Sequence, residues 1–181
     1  MKEHGMIFQG WGVRAILAGL KTQTRRLKLR GEWDVGDRIW VKETWKRACG
    51  HDDDHTVCIA YRASQGSGGG LLVNNVPWTQ KMGAWIADAK WRSSMLMPRY
   101  AARVLLEITA LREEPLQDIS DDDARAEGVA EYAKLLPDHV TEGMSRADAY
   151  RHCIESINGP GTWDRNDGYQ VITFSKVSSP S

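Results

Sequence analysis

The sequence predicts an α+β chain, a small mixed β-barrel with inserted helices. Three observations lead there. Short stretches that read as strands recur at 38–45, where branched and aromatic residues follow a period of two, and at 57–61, 103–111 and 169–174. Glycine and proline turns break the chain between them. The helical segments lie among these strands without the regular strand–helix alternation of a doubly wound sheet. At 181 residues, with no internal repeat, the chain is sized for one domain with a substantial core. That domain is expected to span 1–177, followed by a disordered Ser/Pro tail at 178–181.

In chain order, Met6–Gln9 reads as a strand, with Gly10 and Gly12 in the turn after it. Val13, Ile16, Leu17 and Leu20 fall at i, i+3, i+4 and i+7, which gives a helix over 13–18 an apolar stripe. Gly19 supplies the left-handed position that ends it. From Lys21 the chain leaves as a loop or short strand. If it is extended there, Lys21 and Thr24 point to opposite sides, and only a turn brings them together. Beyond Gly31 and Gly36, the 38–45 strand alternates Ile39, Val41 and Glu43 with Trp40, Lys42 and Thr44. Residues 49–58 read as an acidic hairpin loop, Val57–Tyr61 as the returning strand, and 64–70 as a flexible Gly/Ser loop. Residues 71–90 have no clear period and are expected to cover one end of the core. The longest strand is 103–111. Ser120 with Asp123 forms a capping box for a short acidic helix that stops at Gly128. Ser145 with Asp148 forms a second, for a helix with an apolar face of Ala149, Cys153, Ile154 and Ile157 that closes near Asn158-Gly159. Tyr169–Phe174 is the last strand.

Lysine plus arginine equals aspartate plus glutamate, 24 each, so no bulk field draws the chain toward nucleic acid. The charge is segregated instead. No acid lies between Glu3 and Glu32, where Arg14, Lys21, Arg25, Arg26, Lys28 and Arg30 are basic, and acids concentrate from Glu107 to Glu127. No run of 18 apolar residues and no signal-peptide pattern occurs, so a cytoplasmic location without membrane contact is expected. Three cysteines in such a chain argue for reduced thiols. Cys49, His51, His55 and Cys58 suit zinc by type. Their order departs from the paired Cys-x2-Cys knuckles of structural sites, and neither a metal nor another cofactor is expected. Six of the eight tryptophans lie between Trp33 and Trp91, where core packing and base stacking are both open to them. Glu43, on the parity of Ile39 and Val41, needs a partner if it points inward. Arg26 or a substrate amino group can supply one, and exposure at the strand end is the other reading. Glu107 among Leu105, Leu106 and Ile108 is either a solvent-facing strand residue or a carboxylate in the barrel mouth.

Residues 16–26, ILAGLKTQTRR, resemble the Gly-x-Lys-Thr-x-Thr-x-Arg signature of ASCH-domain proteins, a branch of the PUA-like superfamily. Further similarity to the phage and prophage version lies in GDRIWVKETW (36–45), in 91–129 and in INGPGTWDRNDGYQVITF (157–174). The resemblance implies a PUA-like barrel, with additional segments near 46–90 and 130–160, in a bacterial host cell. It also implies a site. In the N(4)-acetylcytidine amidohydrolases that the chain resembles, a lysine and a threonine of the signature act with a glutamate on a later strand. Carried over, these are Lys21, Thr24 and Glu107.

A threonine hydroxyl needs a base, and a lysine serves as one when desolvation or neighbouring cations lower its pKa from about 10.4. Arg25 and Arg26 beside Lys21 act in that direction. Thr24 then attacks the acyl carbonyl, Lys21 takes its proton, and Glu107 orients or protonates the leaving amine. In the other variant Glu107 activates a water and Lys21 steadies the oxyanion. Arg25, Arg26, Glu43, Trp45, Arg99 and Tyr100 are the expected substrate-binding residues. A modified nucleoside or RNA is the expected partner, and monomer and homodimer both stay open. The alternatives are an RNA- or modified-base-binding module that grips phosphates with Arg25, Arg26 and Arg99 while Trp45 or Tyr100 stacks, and a ribonuclease.

Overall fold

The computed structural model describes residues 1–27, 29, 31–51, 56–64, 73–77 and 90–177. The chain order is β1 (Glu3–Ile7), α1 (Gly10–Leu17), β2 (Gln23–Arg26), β3 (Arg38–Lys42), β4 (Trp45–His51), β5 (Thr56–Tyr61) and β6 (Val73–Pro77). It continues with β7 (Leu105–Pro115), α2 (Asp121–Ala126), α3 (Val129–Ala133), α4 (Asp138–Thr141), α5 (Arg146–Asn158), α6 (Thr162–Arg165) and β8 (Gly168–Lys176). Two sheets result, a five-stranded one in the order β1-β3-β7-β8-β2 and a three-stranded one in the order β4-β5-β6. Only the β1–β3 pairing is parallel among those described.

The α+β class is the expected one. The five-stranded sheet has two ends, β1 and β2, and no backbone pairing joins them among the described residues. A side chain spans that seam, where Arg26 Nη2 donates to the Ile7 carbonyl at 2.8 Å. Alternation sets the packing. Met6, Ile39, Val41, Leu106, Ile108 and Phe174 point to one face and meet Val13 and Ile16 of α1 in the main core. A second core, around Trp45, Ile59, Tyr61 and Met97, lies under the smaller sheet. A third, including Leu116, Ala124, Val129, Ile154 and Tyr169, sits among the helices between β7 and β8.

Helix α1 differs from its sequence reading. It starts three residues earlier and buries Trp11, Val13, Ala15 and Ile16, while Leu17 and Leu20 stay exposed at 38% and 49%. Gly19, at φ +72°, is the cause. The Leu20 N–H bonds the Ala15 carbonyl and the Gly19 N–H bonds that of Ile16, the paired closure of a Schellman motif, so the helix ends at Leu17 and Leu20 lies beyond it. The strand expected at 38–45 is broken after Lys42, and Trp45 opens β4 in the other sheet. The capping box at Ser145 forms as expected, while at Ser120 only half of one forms: the Ser120 hydroxyl accepts from the Asp123 N–H, and Asp123 Oδ2 turns to the Ser120 hydroxyl instead of its backbone N–H. Ile157 is 42% exposed, unlike the rest of the face assigned to α5. The expectations for 65–70, for 71–89 apart from β6, and for 178–181 lie outside the described residues. No helix among the described residues is long and apolar enough to cross a membrane.

Candidate active site

The turn after α1 builds the site. The Lys21 N–H joins that of Leu20 on the Ala15 carbonyl, Thr22 donates to the Ala126 carbonyl at 2.8 Å, and Phe174 donates to Thr22. The chain is thereby anchored to α1, α2 and β8 within three residues, and the Lys21 side chain is directed at the end of α2. There Glu127 caps the helix and Gly128 takes the left-handed conformation at φ +77°. A Cβ on Gly128 would lie 2.9 Å from Ala15 Cβ and 3.0 Å from Lys21 Cβ. Glycine is therefore required both by the backbone angle and by the close approach of α1.

Lys21 Nζ donates to Glu127 Oε2 at 2.6 Å and to the Glu127 backbone carbonyl at 2.7 Å. The pair is enclosed, with the two side chains 3% and 6% exposed. Burial pulls the Lys21 pKa below the ordinary lysine value, with Arg26 acting in the same sense and the Glu127 carboxylate opposing. An ammonium carries three N–H donors, so the two bonds to Glu127 leave one for a ligand. The Lys21 ammonium also stands 5.6 Å from the centre of the Trp11 ring.

Arg25, wholly buried, extends this network. Its Nη1 lies 3.5 Å from Glu127 Oε1, and its Nη2 contacts Glu114 and, at 3.3 Å, Asp123. Arg112 ties the same two acids together from outside. Asp123 is held down at a pKa of about 2 against the opposing effect of burial, by hydrogen bonds from Gln23, Arg112 and Ser120 and by the Arg25 charge.

These residues border a cavity of about 480 Å³, within the range of small-molecule sites. Lys21, Thr24, Arg25 and Glu127 form its polar wall, and the Thr24 hydroxyl has no hydrogen-bond partner among the described residues. Facing them, α5 contributes Tyr150, Cys153, Ile154, Ile157 and Asn158, the i, i+3, i+4, i+7, i+8 face of one helix. Burial pushes the Cys153 thiol up to about 12, which removes it as a nucleophile. Ile7, Leu27 and Ile157, each at least 40% exposed, give the mouth an apolar rim, and Arg26 lies over the Phe8 ring at 5.1 Å beside it.

Lys21 and Thr24 thus border the same cavity, Lys21 from the turn and Thr24 from the strand. Arg25 and Arg26 reach the same cavity. Glu107 does not line it. It lies opposite in parity to Leu106 and Ile108, paired across the sheet with Arg38 and Ser175, and the carboxylate beside Lys21 is that of Glu127. Glu43 does point inward and is 1% exposed. Its partner is Arg103 through two bonds of 2.8 and 3.0 Å, in place of Arg26 or a ligand, because Arg26 turns to the Ile7 carbonyl. Burial raises the Glu43 pKa and Arg103 restrains it. Trp45 is 2% exposed in the second core, where Tyr100 packs beside it, and Arg99 is paired with Glu3 on the surface. None of these three lines the cavity. Two of the three arginines assigned to phosphates, Arg25 and Arg99, are therefore engaged by carboxylates.

Of the four residues weighed as metal ligands, His55 and the side chains of Cys49, His51 and Cys58 lie outside the described residues. The backbone register pairs Cys49 with Cys58 across β4 and β5. Sequence reasoning missed Glu127, Trp11, Tyr150 and Arg165 as cavity residues. The Glu127-Gly128 step was a readable signal, since an acid immediately before a helix-ending glycine is held where the chain turns. Comparison with protein-family models, curated proteins and solved structures gave no significant match.

Proposed function

We propose that the cavity is the active site of an amidohydrolase that removes an acyl group from a modified pyrimidine nucleoside such as N(4)-acetylcytidine. The observation that carries this reading is the enclosed Lys21–Glu127 pair on the same wall as the unpartnered Thr24 hydroxyl. The resemblance to ASCH-domain amidohydrolases supports it, with Glu127 in place of Glu107 as the carboxylate of the set and with the role of holding Lys21. In the same reading the five-stranded sheet is an open PUA-like barrel, its pocket at the seam between β1 and β2.

Thr24 Oγ attacks the acyl carbonyl carbon, and Lys21, in its neutral form, accepts the hydroxyl proton. Burial favours that neutral form. The tetrahedral intermediate collapses, the bond to the exocyclic nitrogen breaks, and Lys21 returns the proton to the leaving amine. Water then attacks the Thr24 ester, with Lys21 accepting its proton; the bond from the acyl carbon to Thr24 Oγ breaks, Lys21 returns the proton to Oγ, and the carboxylic acid departs. Glu127 fixes the position of the lysine nitrogen throughout and balances its charge whenever it is protonated. The apolar wall of α5 and the Trp11 ring face the pyrimidine.

The test is chromatographic detection of cytidine released from N(4)-acetylcytidine by the purified chain. Release is expected from the wild type and a loss of at least about a hundredfold from Thr24→Ala and from Lys21→Met. Release that survives Thr24→Ala transfers the nucleophile to water. No release from the wild type at high enzyme concentration refutes hydrolysis and leaves a cavity that binds without turnover.

A further inference from the structure

Beside the candidate active site lies a second cavity of about 380 Å³. The two cavities share Gln9 and Trp11 as wall residues. Trp11 Nε1 donates to Gln9 Oε1 at 3.1 Å, which fixes the partition, and Gln9 is exposed on the rim of both. A ligand seated in the first cavity can therefore extend over Gln9 into the second without displacing any core side chain.

The electrostatics of the second cavity select its ligand. Arg14, Arg62, Glu43 and Thr44 line it. Glu43 is neutralised by the two-bond contact with Arg103, and Glu131 holds both Arg14 and Lys134. Arg62 lies over the Trp91 ring at 6.0 Å and has no carboxylate within ion-pair distance among the described residues. Counted with the partners of its lining residues, the cavity has four cations, Arg14, Arg62, Arg103 and Lys134, against two carboxylates, Glu43 and Glu131. The first turn of α1, on the same wall, carries no acid. Elsewhere Arg25, Arg99, Arg112 and Arg146 each meet a carboxylate, and among the described residues Arg62 does not. A concave site with surplus guanidinium and a threonine hydroxyl fits a phosphate group.

We infer that the second cavity holds the phosphate of a nucleotide, so that the substrate is a phosphorylated acylated nucleoside, its base in the first cavity and its phosphate against Arg62. The inference rests on the reading of the first cavity as a nucleoside site. A monoester on a free nucleotide and a diester within a strand present the same phosphate chemistry, and the experiment separates them.

Calorimetric titration with cytidine and with cytidine 5′-monophosphate reads the phosphate site without requiring turnover, so its failure is distinct from a failure of hydrolysis. The monophosphate is expected to bind the wild type about tenfold more tightly than cytidine, the effect of one charge-assisted contact. In Arg62→Ala the two affinities should converge, with cytidine unchanged. Arg62 is exposed, so its replacement leaves the core intact. Equal affinities in the wild type, or a preference that survives Arg62→Ala, overturn the inference. Turnover of N(4)-acetylcytidine, its 5′-monophosphate and an oligoribonucleotide containing the same base identifies the source of the phosphate. The highest kcat/KM on the monophosphate assigns a free nucleotide, and the highest on the oligonucleotide assigns a strand. The highest on the unphosphorylated nucleoside overturns the phosphate site.

Discussion

Replacing Glu127 by Gln keeps the side-chain volume and the backbone carbonyl bond to Lys21, and removes only the negative charge at 2.6 Å. At that separation the gross attraction is about 6 kcal/mol at an effective dielectric of ~20, set against the desolvation of both ions. With both side chains almost wholly enclosed, loss of one partner leaves an uncompensated buried charge, a cost of about 3–5 kcal/mol. Lys21→Met should fall toward the lower end, because Arg25 still faces Glu127 at 3.5 Å. The double variant removes both charges, so its cost should fall short of the sum of the single costs by about 2 kcal/mol or more. Urea denaturation followed by tryptophan fluorescence measures each value from the midpoint at constant slope. Additive single costs would refute the pair as a coupled unit. A pH arm checks the direction of the Lys21 shift. Because the folded pKa lies below the unfolded value of 10.5, the unfolded chain binds more protons between the two, and stability rises with pH there. The penalty for burying Lys21 is fully present below its folded pKa and vanishes as pH climbs through 10.5. Wild type should therefore gain on Lys21→Met across that window, and a constant gap would contradict the shift.

Three further outcomes are expected. Gly128→Ala meets both a left-handed backbone and contacts at 2.9 and 3.0 Å, so it should cost about 2 kcal/mol or more in urea denaturation and reduce hydrolysis; wild-type stability would remove the close-packing argument. Arg103→Lys breaks the two-bond grip on Glu43 and should cost about 3 kcal/mol, while hydrolysis per folded molecule stays unchanged because the pair lies outside the first cavity. Asp37 is held at a pKa of about 2, chiefly by the Lys2 N–H and also by His4 and the Asp34 N–H. Its contribution is complete above its unfolded value of 3.8 and is lost as pH falls to about 2. The stability gap between wild type and Asp37→Asn should close over that interval in acid titration, and a gap independent of pH would show that the hydrogen bonds do not favour the carboxylate.

Local signals were legible where local physics decides the outcome. Gly19, the N-cap at Ser120, the capping box at Ser145 and the alternation in β3 each depend on neighbours within a few residues, and each forms. The Lys21–Glu127 contact joins residues 106 apart in sequence and depends on how α2 docks against α1, which no period or cap records. Glu107 illustrates the same limit. A strand pattern shows that Glu107 and Leu106 point to opposite faces without telling which face meets a cavity, and here the core takes Leu106 and Ile108. Glu43 was readable as a buried acid from its parity with Ile39 and Val41. Its partner was not, because Arg103 stands 60 residues away just ahead of β7.

The position of β2 explains why the cluster lies where it does. As an end strand it pairs with β8 on one side alone, and its other side faces the seam toward β1. An end strand exposes backbone groups and side chains that a central strand would commit to its neighbours. Here that open side is covered by side chains from elsewhere: Arg26 reaches Ile7, and α5 lays its Tyr150–Asn158 face across the gap. Enclosure of this kind excludes water from Lys21 while leaving room for a ligand, which a closed and fully paired barrel filled by core side chains would not provide. The same covering makes the cavity dependent on the helices between β7 and β8, since they supply Glu127 and the α5 wall opposite Thr24. The β2 segment and the helices between β7 and β8 therefore build this one cavity together.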